Sequence, residues 1–423
     1  MWEKFRRIWK IKSLRNSILF VLGMLVIFRL VAHVPIPGID REALSGVLAG
    51  NQILGLLNVF SGGTIENFSI IMMGIAPYIT SSIIFQLLTM VVPQLEELSK
   101  EGESGQQKIN MYTRLATIPL ALLQAYGFIQ LLSRSQAGIF GDLTALRLAT
   151  MMIIVTTGTV FLMWVGELIT EKKIGNGISL LIFAGIVASL PTVVRNAIVN
   201  YNSADLYTYL LFLGIAIATV VGVVIISEGQ RNIPISYAKQ VRGGQVLGGA
   251  KSHLPLRVNM AGVIPIIFAI SIILFPPMVA QFFAGSGGFV GRFSQFTINL
   301  FQNQVFYGAM YFILVFGFTY FYTAIIFNPE KIAENLQRQG GFVPGIRPGK
   351  QTEEYLQKTM NRILLVGALF LGLIAVLPLL MQVVTNSQAL VLGGTSLLIV
   401  VSVAIDIAKQ IDAQLTVHEY DRV

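Results

Sequence analysis

Ten mostly apolar stretches, each about twenty residues long, recur along the chain. They lie near 17–34, 68–92, 113–133, 147–169, 178–199, 206–227, 258–283, 305–327, 361–384 and 389–407. A run of about 20 apolar residues matches the hydrocarbon thickness of a bilayer. The pattern therefore predicts an all-α polytopic membrane protein with ten transmembrane helices. The second run is irregular. In FSGGTIENFSIIMMGIAPYITSSIIFQLLTM (60–90), Gly62, Gly63 and Glu66 stand just before the apolar part. Pro77 lies inside it, and Thr80, Ser81, Ser82 and Gln86 mark its second half. Irregular backbone at membrane depth is tolerated where it is buried in protein or lines a watery cavity. The segment therefore points to a cavity, with a proline kink that serves packing as the other reading.

Composition agrees with the pattern. The 423 residues are 54% hydrophobic and 12% charged, with a mean hydropathy of +0.71; a soluble domain carries roughly twice that charge. The chain has no cysteine, which excludes disulfides, thiol chemistry and thiolate metal sites. His33, His253 and His418 are far apart, and no metal-ligand spacing connects them. The start, MWEKFRRIWKIKSLRNSILFVLGMLVIF, imitates a signal peptide, yet HVPIPG follows instead of a small-residue cleavage site. It reads as a retained first span behind a basic cytoplasmic segment, 1–16.

The basic residues orient the spans. If the N-terminus and every second loop are cytoplasmic, that side holds 24 of the 30 Lys and Arg, including all 13 lysines. Only Arg29, Arg41, Arg134, Arg147, Arg195 and Arg292 fall on the other side. The positive-inside rule then predicts a multi-pass protein with an even number of spans and both termini in the cytoplasm. The net charge of +9 is topological signal plus attraction to anionic lipid. Two flexible loops of about thirty residues, 228–257 and 328–360, are long for a compact membrane protein. They are either solvated basic anchors or docking surfaces for a cytoplasmic partner.

Ten spans divide into two sets of five, 17–199 and 206–408, joined by a hinge at 200–205 and followed by a cytoplasmic tail at 409–423. Because five is odd, a duplication would leave the halves inverted, as in many transport proteins. No chemistry of its own is evident. GGQVLGGAKSH fails the phosphate-loop pattern at Gln245 and Ala250, so no ATP hydrolysis, no enzyme activity and no cofactor are expected. Glu167, Glu228 and Asp406 lie towards the cytoplasmic ends of their spans and Arg29 towards the opposite end of its own. A midplane nearly free of charge argues against ion coupling. A secondary solute transporter with inverted repeats remains the alternative to a channel.

Several segments together resemble one family. They are PIPGID (35–40), FSGG (60–63), GIAPYITSSIIFQLL (74–88), FLMWVGELITEKKIGNGISLLIFAGIVA (161–188), LPLRVNMAGVIPIIF (254–268), FNPEKIAENLQRQGGFVPGIRPGKQTEEYL (327–356) and GGTSLLIVV (393–401). They are similar to the SecY family, the central subunits of bacterial protein-conducting channels. The blocks stand in family order from about Arg15 to beyond Asp406.

The resemblance implies a central pore between the two inverted halves and a short re-entrant plug helix at 58–68: Asn58, Val59, Phe60, Ser61, Gly62, Gly63, Thr64, Ile65, Glu66, Asn67 and Phe68. It places a pore ring on Ile75, Ile79, Ile178, Ile182, Ile267 and Ile399. It also implies a lateral gate, where spans two and three face seven and eight, with Thr80, Ser82, Gln86, Gln124 and Asn259 on it. Gln86, Gln124 and Asn259 are expected to hydrogen-bond across that seam. Motor or ribosome docking is implied for Arg231, Lys239, Arg242, Arg347 and Lys350. Asn232, Gln106 and Gln107 stand where relatives usually carry basic residues. The implied partners are SecE and usually SecG, the SecA ATPase, the ribosome, signal peptides with secretory or membrane-protein precursors, and membrane lipids.

Overall fold

The computed structural model describes residues 6, 8–50, 58, 61–135, 139–140, 144–199, 206–237, 240–242, 245–247, 251–283, 288–385 and 394–420. The expected hinge at 200–205 lies outside them. Helices are α1 (Lys12–Ala32), α2 (Arg41–Gly50), α3 (Ala76–Val91), α4 (Pro93–Lys100), α5 (Glu103–Ser135), α6 (Ala145–Glu171) and α7 (Gly177–Val199). After them come α8 (Leu206–Glu228), α9 (Ile264–Phe283), α10 (Gly288–Gln302), α11 (Gln304–Ile326), α12 (Pro329–Arg338), α13 (Lys350–Thr385) and α14 (Gly394–Tyr420). The ten apolar runs correspond to α1, α3, α5, α6, α7, α8, α9, α11, α13 and α14. By length and composition six helical stretches can cross a membrane, and a seventh if α3 and α4 count as one bent span; α7 and α9 hold shorter apolar segments. Side-chain caps set several starts: the Thr144 hydroxyl accepts from the Arg147 N–H, and the Asn303 and Asn328 amides cap α11 and α12.

The second span differs from its sequence reading. It is helical only from Ala76, and Pro77 sits in the first turn of α3 rather than at a mid-helix kink. Proline is favoured there because the first amides of a helix have no partner in any case. Residues 61–75 run in turns. The 16 residues of α3 span only about 24 Å at 1.5 Å per residue, so the turned segment supplies the remaining depth. At its other end α3 stops before Pro93, and α4 leaves at 99°.

Helix packing repeats itself. In the first half α3 packs on α5, α5 on α6, α6 on α7, and α1 on α6 and α7. In the second half α9 packs on α11, α11 on α13, α13 on α14, and α8 on α13 and α14. Each pair in one half has its counterpart in the other, the arrangement expected of two inverted five-helix units. The halves meet along two lines: α9 lies on α3 and α5, and α14 lies on α7. A single apolar cluster, from Val21 to Val403, runs through both halves.

Among the described residues the two long loops carry strands that pair with each other. Strand β1 (Gln230–Tyr237) pairs antiparallel with β4 (Lys251–Arg257) and with β5 (Gly341–Phe342), in the order β4-β1-β5; β2 (Gln240–Arg242) and β3 (Gln245–Leu247) form a separate hairpin. Loop 228–257 is thereby tied to loop 328–360. Ile233, Leu256, Phe327, Val343, Leu356 and Met360 form an apolar cluster beneath the sheet. The chain itself suggests why: NIPIS and HLPLR place branched residues on alternate positions, and Ile233 and Ile235 are buried on either side of exposed Pro234.

Candidate functional site

Where α3, α5, α7 and α9 converge there is a cavity of about 90 Å³. Ile75 and Ile79 come from the start of α3, Ile182 from α7 and Ile267 from α9, and all four line it. Ser61 and Ile65 of the turned segment cover one side, and Ile270, Ser271, Leu274, Phe275 and Met278 of α9 form the other. Thr80, Gln124, Ser61 and Ser271 supply the polar side chains of a mostly apolar wall. Ile399 is fully buried and Ile178 half-buried; both belong to the same apolar cluster as the other four but do not line the cavity.

A second cavity of about 170 Å³ approaches the same band from the end that carries the sheet. Asn176, Ser179 and Leu180 of the α6–α7 turn and α7, Arg257, Asn259 and Ile264 before and within α9, and Val403 and Asp406 of α14 line it. Along α7 the lining passes from Ser179 and Leu180 to Ile182, and along α9 from Ile264 to Ile267. Two cavities thus face each other across a band of isoleucine, on the line where the halves meet. Branched apolar side chains in such a neck exclude water, and ions meet a dewetted barrier.

The turned segment has a firm base. Ser69 bridges Pro35, with the Ile36 N–H donating to the Phe68 carbonyl at 3.0 Å and the Ile70 N–H to the Val34 carbonyl at 3.1 Å. Phe68 has φ +43° and is almost wholly buried, edge-on to Phe140 at 5.5 Å. A left-handed bulky residue costs on the order of 1–3 kcal/mol and persists only where its surroundings over-determine it. The Ile70 carbonyl lies against Gly158 of α6, where a Cβ would approach it to 2.1 Å. Gly158→Ala is therefore expected to displace this base at a cost of about 1–3 kcal/mol, typical of an overpacked core. A lowered thermal midpoint of the purified chain would register it, and an unchanged one would exclude the tight fit.

Beyond the base, Gly62 and Gly63 hold φ +76° and +78°, a region that glycine enters without a Cβ penalty. Asn58 is helical, while Val59 and Phe60 lie outside the described residues. The Asn58 side chain accepts from the Glu66 N–H at 3.0 Å and donates to the exposed Glu66 carboxylate at 3.4 Å. Thr64 and Ile65 are buried; Asn67 is half-buried and donates to the Gly63 carbonyl.

The polar residues expected to bond across the seam do not. Gln124 of α5 donates to the Thr80 hydroxyl of α3 at 3.4 Å, within one half. Gln86 donates to Ser82 of its own helix, and Asn259 to the nearby Gly262 carbonyl. Gln86 Oε1 and Asn259 Oδ1 are buried without a partner. Packing of α9 on α3 and α5 closes the seam, so its polar groups stay on their own side of it. Ser271 of α9, on the cavity wall opposite Thr80 and Gln124, had no signal in the sequence beyond being a polar residue in an apolar helix. Two ion pairs stand near the sheet end: Arg114 with Glu167 at 2.6 Å and Lys409 with Glu228 at 2.9 Å.

Comparison with known proteins decides the family. The SecY family model matches residues 69–408. A Halalkalibacterium halodurans protein, protein translocase subunit SecY, is 44% identical over 430 residues, covering 99% of this chain and 99% of its own. The chain belongs to the SecY family. Two solved structures share its fold. One is a SecY channel described for its plug domain, which stabilises the closed state (TM-score 0.60, 17% identity, 93% of this chain and 90% of that one). The other is Sec61 in the canine ribosome–channel complex from the endoplasmic reticulum (0.57, 16%, with the same coverage). The SecY family is one of channel subunits rather than of enzymes, and the chain is a multi-pass membrane protein.

In this SecY-family fold the residues singled out for docking stand on the joined loops. Arg231 is exposed on β1, and Arg347 is exposed in the turn after β5. Gly345 and Gly349 flank that turn with φ +83° and +94°, and the Arg347 carbonyl accepts from the Thr352 hydroxyl at 2.9 Å. Lys350 opens α13 and is exposed. Lys239 and the side chain of Arg242 lie outside the described residues. Asn232 is exposed on β1 beside Arg231; Gln106 and Gln107 are exposed on α5.

Proposed function

We propose that this chain is the central, passive subunit of a protein-conducting channel: unfolded secretory polypeptides cross the cytoplasmic membrane through the isoleucine neck, and apolar segments leave sideways into lipid between α3 with α5 and α9. One observation carries this reading: two cavities meeting across an apolar band on the line between two helical halves. An apolar neck offers a moving chain no hydrogen bonds to hold it, and it dewets when empty. The solute-transporter reading needs polar groups at the neck, and among the described residues its walls are Ile, Met and Phe with a few hydroxyls and amides.

Residues 58–68 act as the plug that seals the neck from outside, with Glu66 in the outer funnel. Both termini and the sheet face the cytoplasm, as the lysine distribution requires. The sheet joining the two loops is the docking surface for SecA or the ribosome, with Arg231, Arg347 and Lys350 as its cations. A solved structure of the same fold stands in a ribosome–channel complex, which favours a ribosome among the partners. SecE clamps the halves, with SecG alongside.

The test places a photo-crosslinker at position 75 and a secretory precursor stalled halfway across. An adduct that depends on SecA and ATP is expected. Its absence, with the precursor engaged and the chain assembled, would move the path away from α3.

A further inference from the structure

The polar contacts made by the described residues of the 58–68 segment all go to residues between Arg29 and Met72. Most are internal to the segment or its base. One fastens its tip from another element: Arg29, near the outer end of α1, donates from Nη1 to the Gly62 carbonyl at 2.8 Å. Gly62 is buried, and it lies so close to Gly185 of α7 that a Cβ on it would come within 2.6 Å of the Gly185 Cα. The tip is thus clasped between α1 and α7, which also pack on each other. Towards the second half it faces the 90 Å³ cavity, with Ser61 and Ile65 on one wall and Ile270, Ser271 and Leu274 of α9 on the other.

We infer that Arg29 positions the plug tip as a latch, and that release of the plug is a step separate from the parting of the halves. The inference rests on the channel reading above. The Arg29 guanidinium on the Gly62 carbonyl makes a charge-assisted, part-buried bond, stronger than a neutral one. Moving α9 away from α3 and α5 breaks none of the hydrogen bonds that hold the tip, because those of the described residues all lie in the first half. The gate can therefore open to lipid with the seal in place. A polypeptide in the neck must displace Gly62 from both Arg29 and Gly185 before the outer path is clear. The Gly62 carbonyl gives the Arg29 guanidinium an acceptor near the outer end of α1.

The chain has no cysteine, so a single Ser61→Cys in the full chain in its native membrane can report on the tip. Its labelling by a membrane-impermeant maleimide from the outer side is slow when the latch holds. Arg29→Met is expected to speed labelling by about tenfold, the factor that one lost charge-assisted bond corresponds to, and to raise resting ion leak. Arg29→Lys keeps a charge and a donor but loses the planar fork, and should restore part of the protection. Gly62→Ala forces the tip off Gly185 without altering Arg29 and should loosen it as well.

Ser402→Cys, buried in α14, serves as a control whose labelling stays unchanged. Unaltered Ser61→Cys labelling in Arg29→Met would overturn the latch, and so would equal acceleration at Ser402→Cys, which means general loosening. Deletion of 58–68 separates the two readings. If the deletion leaks ions and Arg29→Met does not, the latch alone fails. If the deletion does not leak, residues 58–68 are not the seal and the latch falls with them; if the precursor gives no adduct at position 75, the channel reading itself fails.

Discussion

Resting ion conductance is expected to rise by about tenfold or more when Ile75 and Ile79 are both replaced by Ser, since a constriction stays dewetted only while its wall is apolar. Both side chains line the cavity and stand at the start of α3, one turn apart. Hydroxyls there would hold water through the narrowest part of the path and give ions a hydrated route. The companion exchange to Leu keeps the wall apolar at nearly equal volume and should keep the seal. Planar-bilayer recording of the two double variants, with thermal midpoints as a check on folding, separates hydration of the neck from damage to the helix. A tight Ser variant would place the barrier elsewhere, with Ile182 and Ile267 the next positions to change.

Motor-driven export should fall by about a hundredfold in Arg347→Glu, the loss that follows when about 3 kcal/mol of a buried cross-interface charge contact is removed and reversed. Arg347 is exposed at a turn held by Gly345 and Gly349, by the Thr352 hydroxyl on its own carbonyl, and by β5 on β1. The bonded turn fixes where the Arg347 side chain leaves the backbone, and its planar guanidinium suits an acidic acceptor on a docking partner. Transport of a secretory precursor into membrane vesicles, measured with the chain at its normal level, gives the result. Arg347→Lys should recover only part of it. Full transport in Arg347→Glu would remove the residue from the docking surface and leave Arg231 and Lys350 to carry it.

How far the sequence alone reached can be judged from particular residues. Ile75, Ile79, Ile182 and Ile267 were found by likeness to a family; as lone isoleucines in apolar helices they carry no signal of their own. Gln86, Gln124 and Asn259 were legible as polar residues in spans, but their partners were not. Gln124 bonds Thr80, 44 residues away in its own half, rather than crossing the seam. The glycines at 62 and 63 announced an unusual backbone, yet nothing in their neighbourhood named Arg29, 33 residues earlier, as the group that holds one of them.

The sequence by itself determined the class and the number of spans, and it set the expectation for their sidedness. Each span is decided locally, by about twenty successive residues weighed against lipid, and the expected sidedness by a count of lysine and arginine between them. It likewise excluded thiol chemistry and a phosphate loop, because those need residues that are absent. Tertiary structure alone decided where α3 begins, that the two long loops join in one sheet, and that the polar groups of the gate stay within their halves. It also decided that the plug tip is clasped by α1 and α7. These depend on pairs of groups far apart in the chain meeting at a few ångströms, a matter of packing that no local pattern encodes.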